Sequence, residues 1–85
     1  MEKKIGEVTH VYPEPSAAVV KLRDKIAGGD TIHIVGHTTD ITQEVTSLQI
    51  DHKDVDDAKK GDDVAVLVTD MVRDGDEVFL VDGEG

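Results

Sequence analysis

The chain has 85 residues, no cysteine, and 19 acidic against nine basic residues, a formal net charge of −10. The length sets one domain with a modest core, and the missing cysteine excludes disulfides, thiolate metal sites and cysteine nucleophiles. Strong acidity with only two aromatic residues, Tyr12 and Phe79, argues against nonspecific binding of polyphosphate and against base stacking.

In chain order, period-two alternation dominates and no convincing helical stripe exists. The first strand is expected over about 4–11, "IGEVTHVY" at its heart, with a bend between Val8 and Val11. "YPEPS" then breaks it, because Pro13 and Pro15 lack the amide donor. A second strand over 17–24 sets Ala18, Val20 and Leu22 on one face and Val19, Lys21 and Arg23 on the other. A third over 30–37 alternates Ile32 and Ile34 with His33 and Val35. The fourth, over 41–51, breaks its own rhythm: Ile41 and Val45 have odd parity, Leu48 and Ile50 even. Burying all four needs one extra residue near Thr46–Ser47, as a β-bulge supplies. The segment "DVDDAKK", 54–60, is expected to form a helical turn with Val55 and Ala58 facing the core. Strands over 62–69 and 76–81 complete the set, and the tail "DGEG" is expected to fray.

One phrase recurs three times: Gly-Asp, a free residue, then Val or Ile, in "GGDTIHIVG", "KKGDDVAVLV" and "DGDEVFLV". Glycine permits positive φ before a strand, and aspartate caps local amides. The pairs Gly29–Asp30, Gly61–Asp62 and Gly75–Asp76 therefore read as structural turns leading into strands. Six bending strands suit an all-β fold, a small closed six-stranded antiparallel Greek-key barrel. It is expected to occupy 1–85 as a single domain with its core at about 5–81.

Candidate chemistry is sparse. His33 and His37 share a strand face but stand about 13 Å apart, too far to chelate one ion. "DHKDVDDAKKGDD" lacks the spacing and closing glutamate of an EF-hand loop. No phosphate-binding loop or nucleophile elbow occurs. No catalytic constellation, metal site or cofactor is expected.

The three phrases, with "IGEVTHV", "AAVVKL" and "QEVTSLQIDHKDVDDAKKGDDVAVLV" in order, resemble domain II of the translation GTPases, the barrel that follows the GTP-binding domain in elongation factor Tu. The likeness covers about 5–81. It is closest to small stand-alone translation elongation factor-like proteins and to the barrel ending some collagenase-like peptidases. In elongation factor Tu this barrel helps hold the aminoacyl end of tRNA. The resemblance carries that pocket to Ser16 and Ala17, Gln49 and Asp51, and Val55. The chain departs from the pattern in having no Arg in "PEPSAA" and Gln49 where the family has an acid. The expected function is a non-catalytic translation elongation factor-like binding module, monomeric and cytoplasmic, docking on a protein or ribonucleoprotein partner. The alternative is a separately encoded accessory barrel of a collagenase-like peptidase or RNA-modifying enzyme. No membrane segment is expected, since no apolar run approaches about 20 residues.

Overall fold

The computed structural model describes residues 2–13 and 16–81, and among these all regular structure is β-strand. The strands are β1 (Glu2–Pro13), β2 (Ser16–Leu22), β3 (Ile26–Ala27), β4 (Thr31–Val35), β5 (Asp40–Glu44), β6 (Leu48–Ile50), β7 (Lys53–Val55), β8 (Asp57–Ala58), β9 (Asp63–Leu67) and β10 (Glu77–Val81). Eight of them make one antiparallel sheet in the order β5-β4-β10-β1-β2-β9-β6-β7, while β3 and β8 form a separate two-stranded ribbon.

Alternation sets the two faces. Ala18, Val20, Ile32, Ile34, Val64, Val66 and Val78 are fully enclosed, and Val8, Leu22, Val45 and Leu48 nearly so. The buried core is aliphatic throughout, with no aromatic side chain in it. Each enclosed Val or Ile contributes about 1.5–3 kcal/mol relative to exposure.

The three Gly-Asp phrases fold into one repeated clamp. Gly29, Gly61 and Gly75 have φ of 92°, 94° and 92°. In each turn the aspartate N–H donates to the carbonyl three residues back: Asp30 to Ala27 at 3.1 Å, Asp62 to Lys59 at 3.0 Å, Asp76 to Arg73 at 3.1 Å. The same aspartate's Oδ2 accepts the N–H of that residue, at 2.9, 3.1 and 2.9 Å respectively. The glycine N–H then donates to a distant carbonyl, and the residue owning it returns its own N–H to the aspartate carbonyl. Gly29 and Asp30 hold Val45 this way, at 2.9 and 2.7 Å; Gly61 and Asp62 hold Leu22, at 3.0 and 2.9 Å; Gly75 and Asp76 hold Val8, at 2.7 and 2.8 Å. All three held residues are buried, where an unpaired backbone polar group is costly.

Each clamp sits where a ladder stops or slips. Val45 follows the end of β5, Leu22 ends β2, and the β1–β2 register shifts between Val8 and His10, inside the expected bend. A second shift, between Lys4 and Gly6 on the β10 side, frees the Ile5 carbonyl to accept from Arg23 at 2.7 Å.

Four expectations need correction. Main-chain pairing does not close a six-stranded barrel: the expected fourth strand splits into β5, which stays on β4, and β6, which moves to β9. The break spans residues 45–47, so Val45 and Leu48 both stay buried by a change of partner, beyond a single bulge. The open edge is bridged by a side chain, with Gln43 Nε2 donating to the Leu67 carbonyl at 2.8 Å and its Oε1 accepting from Thr69 N–H at 2.9 Å. Residues 54–60 form no helical turn. Val55 ends β7 and pairs with Leu48, while Ala58 pairs with Ile26. β1 also runs on to Pro13, which pairs with Ser16 at the chain turn, where a missing amide costs least. Pro15 and the "DGEG" tail lie outside the described residues.

Candidate functional site: a groove on the outer sheet face

β1, β2, β9 and β6 lie side by side, so their outward residues form rows. One row runs Tyr12, Ala17, Leu67; the next runs His10, Val19, Ala65, Gln49; Lys21 pairs with Asp63 beyond them. Alanine at the centre, flanked by larger side chains, leaves a depression of about 380 Å³. Its floor is Ala17, Val19 and Ala65, its walls Tyr12 and Gln49. Asp51, His52 and Asp63 complete the rim.

The rim holds the chain's strained backbone. Asp51 and His52 have φ of 53° and 65°, the only non-glycine residues in the left-handed region among those described. They are the two central residues between β6 and β7, where Ile50 pairs with Lys53. Two-residue hairpin turns of this kind prefer Asn-Gly because both positions need positive φ. Placing Asp-His there costs on the order of 1 kcal/mol per residue, a feature that clusters at functional sites. Gln49 is fixed beside it, its Nε2 donating to Asp54 Oδ1 at 3.0 Å.

Of the five positions carried over by resemblance, Ala17, Gln49 and Asp51 meet in this groove. Ser16 does not: it is exposed at the chain turn, and its Oγ donates to the Pro13 carbonyl at 3.4 Å. Val55 does not either, being half-buried against the core beside Thr46, Ser47 and Gly28 in a different hollow. The reading from sequence missed Tyr12, Val19, His52, Asp63 and Ala65. Outward parity on β2 and β9 was the available signal, but cross-strand register, which sets Val19 beside Ala65 and Gln49, is not written in either strand alone.

Elsewhere His33 lies between two carboxylates. Its Nε2 is 2.5 Å from Asp40 and its Nδ1 2.9 Å from Glu2. Those bonds, Asp40's first, raise the imidazole pKa above its ordinary value. Asp24 is held below the usual carboxylate range by Lys3, with the Lys25 amide assisting. Among the described residues no three His, Asp or Glu side chains group as metal ligands.

No family model matches the sequence. A search of solved structures finds the C-terminal domain of a Geobacillus thermoleovorans protein assigned to the U32 peptidases, with TM-score 0.87 and 19% identity, over 94% of this chain and 93% of that domain. Its selenomethionine variant gives TM-score 0.84 and 20% identity, over 89% of this chain and 96% of that one. The chain has the fold of a U32 peptidase C-terminal domain. In sequence it is 46% identical over 79 residues to an uncharacterised protease of Methanocaldococcus jannaschii. That match takes in 92% of this chain but spans only 19% of the protease. Of the two kinships the motifs pointed to, these relatives favour the collagenase-like peptidase barrel; the likeness to elongation factor Tu domain II gains no support from them. No helix of the described residues is long and apolar enough to cross a membrane.

Proposed function

We propose that this chain is a non-catalytic accessory module of a collagenase-like, U32-type peptidase, working inside the cell by docking on the peptidase body or its substrate. The observation that carries the reading is the 46% identity to a protease of which the chain spans a fifth. A segment that small, with the fold of an isolated C-terminal domain, is an appendage to the remaining four-fifths. The residues agree: the buried side chains of Gln43 and Asp76 serve a sheet seam and a clamp. The outer face carries a groove, and among the described residues no hydroxyl nucleophile is hydrogen-bonded to a histidine or carboxylate base. The translation-factor reading gives way to this one, because its basic contact to the tRNA end is absent from the lead-in to β2.

The test is a chimera. The archaeal protease with its matching segment replaced by this chain is expected to fold and to cleave a generic protein substrate such as gelatin at the parent's rate. The isolated chain is expected to cleave nothing. Cleavage by the isolated chain, or a chimera no better than the protease with its segment deleted, would refute the proposal.

A further inference from the structure

The groove on the outer face has a chemistry of its own. Its floor is apolar, and half-exposed Tyr12 and Leu67, 46% and 41% accessible, extend that surface along the next row. Its ionisable rim consists of Asp51, Asp63 and His52. Neither aspartate takes part in an ion pair among the described residues, although Lys21 is the cross-strand neighbour of Asp63. These carboxylates flank an apolar trough on a molecule of net charge −10.

We propose that this groove is the docking site for a cationic peptide segment, one that lays an apolar side chain on Ala17, Val19 and Ala65 and sets Lys or Arg against Asp51 and Asp63. Three observations select that occupant. A second copy of the chain would bring its own rim aspartates and ten negative charges against the same number. A nucleic acid would set phosphates against the rim carboxylates, with no Lys or Arg among the lining residues to offset them. The groove volume lies near the lower end of the roughly 300–1,000 Å³ of ligand pockets, enough for a few side chains and short of a folded interface. The two-residue Asp51–His52 turn between β6 and β7 sets the backbone of one of these aspartates at the rim. The proposal deepens the accessory-module reading, since a cationic segment of the peptidase or its substrate is what the module would grip. Its test needs no peptidase.

The probe is a fluorescein-labelled peptide, acetyl-Gly-Arg-Leu-Lys-Gly-amide, titrated by polarisation, with Glu replacing Arg and Lys in the control. Saturable binding is expected with Kd below about 100 μM at low salt, weakening as salt screens the rim. The control peptide is expected not to bind. The double variant Asp51→Asn/Asp63→Asn keeps a residue suited to positive φ at the turn and should weaken binding by at least about fivefold. Ala65→Lys fills the floor and should abolish it. Unchanged urea melts show that these variants still fold; a variant that melts early is replaced by mapping the peptide's amide shifts, expected at Val19, Gln49 and Ala65, on the parent chain. No binding of the cationic peptide, equal binding of the acidic one, or binding indifferent to both variants would overturn the proposal. If the peptide fails while the chimera cleaves as its parent does, the groove assignment falls and the accessory role stands.

Discussion

Gly61 and Asp62 separate two contributions that the repeated phrase joins. Gly61 has open space around an added Cβ, so a side chain there meets only backbone strain at φ 94°. Asp62 contributes one carboxylate bond to Lys59 N–H. Gly61→Val is therefore expected to lower stability by about 1–3 kcal/mol, and Asp62→Ala by about 1 kcal/mol. Urea melts giving the reverse order would contradict the clamp. Gly36 fails for a different reason. A Cβ there would overlap the Asp76 carboxylate, which is 4% exposed and accepts the Arg73 N–H at 2.9 Å. Gly36→Ala should cost about 1–3 kcal/mol by displacing a buried acceptor, and Gly36→Ala in an Asp76→Ala background much less. Equal losses in the two backgrounds would show that the contact is not the cause. At this scale the three turns were legible in the sequence, because positive φ and local amide capping are properties of Gly and Asp themselves. Gly36 was not legible: it is close in space to Asp76 across the β4–β10 end, and nothing in "IVGHT" announces that neighbour.

The strands were legible to the extent that alternation defines them. Val45 and Leu48 show where parity was enough and where it stopped. Their opposite parity revealed an interruption between them, but a bulge and a change of sheet partner satisfy parity equally well. Only the packing of β6 on β9 decides for the second. The 54–60 segment failed for a related reason: a three-residue spacing of Val55 and Ala58 fits one helical face, yet each finds a strand partner of its own, Leu48 and Ile26. The groove divided likewise, Gln49 and Asp51 being near in sequence to one another but reaching Ala17 only through β9. At the edge of the sheet, His33 ties β4 to Glu2 on β1 and Asp40 on β5, which gives a pH dependence with a definite sign. A pKa raised on folding means the contribution is fully present below the unfolded value of about 6.5 and is lost as pH rises through the folded value. His33→Gln should reduce stability more at pH 6 than at pH 8.5, as read from urea midpoints. An equal loss at both values would mean the carboxylates do not hold the imidazolium.

For the molecule as a whole, charge and fold act together. Seven Lys and two Arg are spread over strands and turns, and four of them, Lys3, Lys4, Arg23 and the more distant Lys25, stand near carboxylates. Few coordinated cations mean little counterion release, so no binding of generic duplex or single-stranded RNA is expected at physiological salt. Micromolar affinity with a steep salt slope in a filter-binding titration would contradict the acidic surface's role. The central claim is that this fold serves a peptidase as an appendage, and the most direct measurement is association in trans. The archaeal protease lacking its matching segment is mixed with this chain and examined by native mass spectrometry. A one-to-one complex, absent when the intact protease is used and its own segment fills the place, is the predicted result. Two separate species at every ratio tried, with both proteins folded, would contradict it.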